Sequence, residues 1–189
     1  MSRVPVGVSA RHIHLSEEHV AFLFGQGTEL TSMKPLSQPG QFAANETVEV
    51  IGPKGSFAKV RILGPARKRT QLEVSRTDAF SLGINPPVRE SGDIAGSAGI
   101  TIKGPAGEIA IEEGVIVAAR HIHFHTSDAE SLGIEDKQRL SVRLSGERGL
   151  VLANVIARVS DDYALDLHID TDEANAAGAK TGDEAEILQ

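Results

Sequence analysis

A five-residue word occurs twice in this chain. Ala10-Arg11-His12-Ile13-His14 returns as Ala119-Arg120-His121-Ile122-His123. Each copy ends a short apolar stretch, Val4 to Ser9 and Val115 to Ala118, and five of the seven histidines lie within or beside the copies. In an extended chain, residues two apart face the same side. Each His-x-His therefore presents two imidazoles together, as a metal ion needs.

The repeat extends beyond the words. Leu72-Glu73-Val74-Ser75-Arg76-Thr77-Asp78-Ala79, with Gly83 four residues on, is echoed by Leu167-His168-Ile169-Asp170-Thr171-Asp172-Glu173-Ala174, with Gly178 four residues on. In that overlay Glu73 falls on His168. Between word and echo each half carries a hairpin-like pair of strands, Thr47 to Ile51 with Phe57 to Leu63, and Arg139 to Leu144 with Leu150 to Ala157. A solenoid needs more than two copies. The pattern predicts two pseudo-equivalent domains from an internal duplication, each supplying two histidines and one further ligand.

At 189 residues the chain can bury a core, as one domain or two small ones. Aromatics make up 4% and the formal charge is -7, which argues against stacking platforms and against nucleic-acid binding. With no cysteine there is no disulfide frame, thiolate ligand or thiol nucleophile. No apolar run reaches membrane-spanning length and no signal-peptide pattern opens the chain. The expectation is a soluble cytoplasmic protein, without a membrane partner.

Val4 to Ala10 reads as a strand. Ser16 reads as the N-cap of a helix ended by Gly25, with Glu17 and Glu18 in its first turn. Thr28 to Asn45, rich in Gly, Pro and Ser, reads as a loop excursion, and Ser81 to Gly99 as irregular. Gln71 to Ser75 is a strand. Ile100 to Lys103, Glu108 to Ile111 and Val115 to Ala119 form a meander into the second word. Ser127 or Thr126 caps a short helix ending at Gly133. Leu165 to Ile169 is a strand, and Thr171 caps the last helix. Many short strands with regularly spaced turns indicate barrels or sandwiches, so the fold class is mainly β with short helices as caps.

A single His-x-His is as readily two solvated imidazoles as a ligand pair. Two copies in matching context point to metal. The candidates are His12, His14 and Glu73 in one half and His121, His123 and His168 in the other. Three protein ligands with one open position is the pattern of catalytic zinc, and imidazole and carboxylate donors favour zinc over cobalt, nickel or iron. His125 continues the alternation and is a spare ligand candidate. His19 reads as a surface residue. Arg67, in the basic run Gly64-Pro65-Ala66-Arg67-Lys68-Arg69, lies six residues before Glu73 and could hold phosphate as a bidentate fork. Lys34 and Arg61 could serve a polyanion. Nucleotide-binding glycine loops and a nucleophile elbow are absent from the sequence.

Together Ser9-Ala10-Arg11-His12-Ile13-His14-Leu15, Gly64-Pro65-Ala66-Arg67, Gln71-x-Glu73, Val88-Arg89-x-Ser91-Gly92-Asp93, the second word, and His168 to Asn175 resemble the phosphate propanoyltransferases (phosphotransacylases) of propanediol utilisation. The resemblance covers essentially the whole chain. It implies two helix-capped β-barrels with a two-zinc site between them. One barrel region is 11–118 and the other 1–10 with 119–189, because the first strand joins the second barrel. One zinc would take His12, His14 and Glu73, the other His121, His123 and His168. Arg67 matches the family's phosphate-binding arginine and is its catalytic candidate. Lys34, Arg61, Leu63 and Asn175 match positions that bind coenzyme A. The implied reaction joins acyl-CoA, propanoyl or acetyl, and phosphate to give acyl phosphate and free CoA, reversibly. A two-metal hydrolase and a non-catalytic metal-binding module use the same ligands. Members housed in microcompartments carry an N-terminal extension, for which this chain leaves no room, so it reads as a cytoplasmic form or a trimmed one. A homo-oligomer stays open.

Overall fold

The computed structural model describes residues 2–188. In chain order the elements are β1 (Arg3–Ser9), β2 (His12–His14), α1 (Glu17–Phe24), β3 (Ser32–Pro35), β4 (Phe42–Ile51), β5 (Ser56–Gly64), β6 (Gln71–Glu73), α2 (Arg76–Leu82), β7 (Val88–Arg89), β8 (Ala98–Lys103), β9 (Glu108–Ala118), β10 (His121–Phe124), α3 (Thr126–Leu132), β11 (Arg139–Leu144), β12 (Leu150–Val159), β13 (Asp166–Asp170), α4 (Thr171–Ala177) and β14 (Glu184–Leu188). The chain forms two compact units. One holds the N-terminal stretch through Ala10, Ser37–Pro39 and the chain from Ala119 onward. The other holds Arg11–Leu36 and Gly40–Ala118.

Each unit contains a closed barrel of six strands. In the first, the order is β1-β13-β10-β12-β11-β14 and back to β1. In the second, β9-β6-β2-β5-β4-β8 closes because β8 pairs with both β4 and β9. The two orders match strand for strand, including sense. β1 runs parallel to β13 as β9 does to β6, and β10 parallel to β12 as β2 does to β5. All other neighbours in both rings are antiparallel. The strand that precedes each histidine word thus lies in one barrel and the word itself in the other. Closure removes the exposed edges that short strands would otherwise leave. In the second barrel β3 and β7 are additions, paired to β4 and β9.

The cores are filled mostly by branched aliphatic side chains. The isoleucine between the two histidines of each word is wholly buried: Ile122 shares a core cluster with Val6, Phe124, Val142 and Leu167, and Ile13 with Leu15, Val60, Ile62 and Leu72. Alternation along the strand then turns the flanking histidines to the opposite side.

Several boundaries differ from the expectations, each for a local reason. The excursion from Thr28 to Asn45 contains β3 and the start of β4, held by Asn45 N–H to the Thr31 carbonyl at 2.9 Å. Glu108 to Ala118 is one strand because Gly114, at φ 136°, absorbs a kink where its N–H donates to Ser97 Oγ at 2.8 Å. The stretch after Glu73 is helical. Ser75 caps α2 by accepting from the Asp78 N–H, and Gly83 closes it in the left-handed region. The cap of the last helix is Asp170, one residue before Thr171. Asp170 and Glu173 form a reciprocal capping box, and Gly178 closes the helix as Gly83 closes α2. α3 is capped by His125, whose Nδ1 accepts from the Ser127 N–H at 3.2 Å, rather than by Ser127 or Thr126.

Candidate metal centres

The third-ligand strand lies antiparallel beside each word. In the second barrel His12 is opposite Glu73, Ile13 opposite Leu72 and His14 opposite Gln71. In the first, His121 is opposite His168, Ile122 opposite Leu167 and His123 opposite Asp166. The sequence overlay of Glu73 on His168 is therefore an equivalence of register. Paired residues share a face of the sheet, so each word and its partner strand converge three donors. In both sets the ligand atoms lie within 4.8 Å of one another.

In the second-barrel set all three side chains are buried. His12 Nε2 is 3.4 Å from Glu73 Oε2, and the two imidazoles stand at right angles with centroids 5.3 Å apart. His14 Nδ1 is 3.2 Å from the Leu63 carbonyl, which fixes the proton there and leaves Nε2 as the donor. Burial, then the charges of His12 and Arg67, push His14 down to about 3, so the ring is neutral. Burial alone would raise Glu73, but His12 above all holds it well below the usual carboxylate range. A buttress fixes its other oxygen: Gln71 Nε2 and Ser91 Oγ donate to Glu73 Oε1 at 2.6 and 2.8 Å. Gly92 N–H donates to Gln71 Oε1 at 2.7 Å, and Arg67 Nη1 reaches Ser91 Oγ at 3.4 Å. The Arg67 backbone is itself tied to Leu15, beside His14, by a 2.8 Å hydrogen bond.

In the first-barrel set His121 and His123 are buried and His168 is half-buried. His121 Nδ1 lies 2.8 Å from the Ala119 carbonyl, leaving Nε2 bare, and that atom is 3.1 Å from His123 Nε2. Two ring nitrogens brought this close suit a shared cation. The His168 ring lies 5.1 and 4.8 Å from those of His121 and His123, and its Nε2 is 3.0 Å from Asp166 Oδ2. Tyr163 packs edge-on against His123 and takes a hydrogen bond from Arg158 at 3.1 Å. Nitrogen and carboxylate donors in threes, with no thiolate, fit zinc.

The arginine of each word has a partner that the sequence reading did not assign. Arg11 Nη2 pairs with Asp78 Oδ1 at 3.0 Å, and Arg120 Nε with Glu173 Oε1 at 2.8 Å. Asp78 and Glu173 are the third residues of α2 and α4, so each word is tied to the helix that follows its third ligand. Gln71, Ser91 and Asp166 were also without a role. Gln71 and Asp166 sit two residues before the third ligand, the same alternation that marks the words.

Other candidates fall as follows. His125 follows the strand and serves as a helix cap, outside both ligand sets. His19 is half-buried, with Nδ1 2.6 Å from Thr70 Oγ1, and so is no plain surface residue. Lys34 is exposed on β3. Arg61, on β5 opposite His12, gives Nη1 to the carbonyls of Ala44 and Asn45 at 2.8 and 2.9 Å. Leu63 supplies the carbonyl that orients His14, and Asn175 is exposed in α4, in the other unit. A cleft of about 420 Å³ opens beside α1, walled by Val20, Leu30, Phe42, Pro65 and Ala66. No helix among the described residues is long and apolar enough to cross a membrane.

Comparison with known proteins gives one consistent result. A family model described as phosphate propanoyltransferase matches residues 5–180. A Thermotoga maritima protein named phosphate propanoyltransferase is 56% identical over 185 residues, covering 97% of this chain and 88% of the relative. Proteins of the same name from Priestia megaterium and Rhodobacter capsulatus are 57% and 54% identical, covering 95% and 93% of this chain and 83% and 81% of theirs.

Proposed function

This chain belongs to the phosphate propanoyltransferase family, and on that premise we propose that it moves an acyl group reversibly between coenzyme A and phosphate with zinc held by each ligand set. The observation that supports the reading most is the pair of donor triads at equivalent register in two matching barrels. His12, His14 and Glu73 would hold one ion and His121, His123 and His168 the other. When bound, zinc supplies Lewis-acid polarisation of the thioester carbonyl and a soft acceptor for the departing thiolate.

The protein's own groups do the positioning. Arg67, steadied by Ser91, binds phosphate oxygens through paired charge-assisted hydrogen bonds and limits the anion's motion. A phosphate oxygen attacks the carbonyl carbon, the C–S bond breaks, and the electron pair leaves on sulfur. Direct attack needs no acyl-enzyme. Lys34, Arg61 and Leu63 are the proposed coenzyme A contacts of the second-barrel unit and Asn175 that of the first, and the apolar cleft beside Ala66 suits a pantetheine arm.

The test is thiol release from propanoyl-CoA and acetyl-CoA, with phosphate or arsenate present and absent, beside elemental analysis. Release should require the oxyanion, and protein purified without chelator should carry two zinc-class ions per chain. Equal turnover without phosphate would make the protein a hydrolase. Tight metal without coenzyme A affinity would make it a binding module.

A further inference from the structure

One carboxylate beside the first-barrel triad belongs to no ligand set. Asp166 is 5% exposed, and its Oδ2 is 3.0 Å from His168 Nε2. It stands outside the group of atoms that converge within 4.8 Å. The same oxygen accepts a very short hydrogen bond from Ser37 Oγ. Ser37 comes from the Pro- and Ser-containing excursion between Thr28 and Asn45. Residues 37–39 cluster with this barrel although the chain on either side does not. Gln38, 3% exposed, fastens the same segment to the entry of β13: its Nε2 donates to the Ala164 carbonyl at 2.9 Å, and its Oε1 accepts from the Ala164 N–H at 3.2 Å.

The backbone across from this pair has been cleared for it. Gly7 on β1 lies opposite His168. A Cβ there would fall 3.0 Å from Asp166 Oδ2 and 3.3 Å from His168 Cδ2, closer than ordinary side-chain packing. The Gly7 backbone is not in the left-handed region, so space rather than conformation calls for glycine.

We propose that Asp166, braced by Ser37, is the positioning residue of the first-barrel metal site: it accepts the Nε2–H of His168 and so presents Nδ1 of that ring to the ion. This rests on the reading of His121, His123 and His168 as a zinc site. The other rings supply the logic. His121 gives Nδ1–H to the Ala119 carbonyl and His14 gives its own to Leu63, each leaving the opposite nitrogen for metal. His168 has a carboxylate in that place, which fixes the tautomer.

The experiment measures zinc affinity at both sites by chelator competition in wild type, Asp166→Asn, Gly7→Ala and Ser37→Ala. It adds ¹¹³Cd–¹⁵N coupling on histidine-labelled protein. Asp166→Asn should weaken one site by roughly 10–100-fold and leave the other unchanged. Gly7→Ala, which removes no polar group, should weaken the same site, and Ser37→Ala should do so to a smaller degree. The cadmium coupling of His168 should run through Nδ1 and those of His121 and His14 through Nε2. Wild type that holds no ion at the triad would defeat the metal reading itself. Wild type that holds two ions, with Asp166→Asn of unchanged affinity or with His168 coupled through Nε2, would defeat this assignment alone.

Discussion

Acid should destabilise the metal-free protein through His14, in a window set by burial. In the folded chain this ring is pushed down to about 3, by burial first and then by His12 and Arg67, against smaller opposing effects of Glu73 and the Leu63 carbonyl. In the unfolded chain it takes a proton near pH 6.5. Between those values the unfolded chain binds a proton that the folded one refuses, so stability falls as pH falls. From pH 7.5 to pH 5 the loss from this ring alone is ~2 kcal/mol, since each unit of unmatched titration is worth ~1.4 kcal/mol. Glu73 acts in the same direction but later. Its folded pKa lies well below 4.5, so its stabilising ionisation is intact above about 4.5 and is lost only as the pH falls through the folded value. The interval from pH 5 to 7.5 therefore separates the two. The assay is urea denaturation of chelator-treated protein at both pH values, for wild type and His14→Gln. Wild type should lose ~2 kcal/mol more than the variant across the interval. Parallel pH profiles would refute a neutral, desolvated His14.

Arg67→Ala should impair phosphate saturation and lower turnover by roughly two orders of magnitude, because paired bonds to an anion are each worth ~1.5–3 kcal/mol. Arg67→Lys should rescue only partly, and coenzyme A affinity should hold. Steady-state kinetics with the two substrates varied separately, beside direct CoA binding, checks both points. Ile122→Ala, at a wholly buried position between two ligands, should cost ~2–5 kcal/mol in chemical denaturation. Ile122→Val should cost only ~0.5–1.5 kcal/mol, and equal costs would show that the site repacks.

The convergence of the paired imidazoles was legible because its signal is local. Two residues spaced by two on an extended chain must share a face, and His12, His14, His121 and His123 need nothing more to be recognised. Glu73 and His168 were legible through the duplication, and the register explains why: they occupy the same rung beside the first histidine of each word. Helix α2 could have been found the same way. Gly83 aligns with Gly178, and Ser75-x-x-Asp78 is a cap signal of the kind that marks α4. The Ser16 cap of α1 was legible, whereas the caps of α3 and α4 were misplaced by one or two positions because Thr, Ser, Asp and His all offer an acceptor there. The roles of Asp166, Gln71 and Ser91 were not legible. Ser91 reaches Glu73 from a segment without regular structure, and Ser37 reaches Asp166 across 129 residues of sequence, so no periodicity announces either contact.

The duplication also explains why the two sites can differ without losing balance. In the second barrel the pair before and at the third-ligand position is Gln71 and Glu73. In the first it is Asp166 and His168. The carboxylate has moved two residues along the same face, from ligand to supporting position, while an imidazole has taken the ligand's place. Each triad therefore keeps one negative charge within hydrogen-bonding reach, on Glu73 beside His12 in one case and on Asp166 beside His168 in the other. A divalent ion in either site would meet the same nearby charge, yet through different donors: two nitrogens and an oxygen, or three nitrogens. The harder set lies beside Arg67; on the proposed reading it would take the oxyanion and the softer set the sulfur. The acyl exchange proposed above, which trades a thiolate for a phosphate oxygen, would draw on that difference in donors. Moving the carboxylate back, as Asp166→Gln with His168→Glu, keeps the charge near the ion but hardens the set. Such a double variant should still bind zinc while losing its preference for thiolate, read as a loss of the sulfur-to-cobalt charge-transfer band when CoA is added to the cobalt-loaded protein. A band of unchanged intensity would show that donor softness is not what separates the two sites.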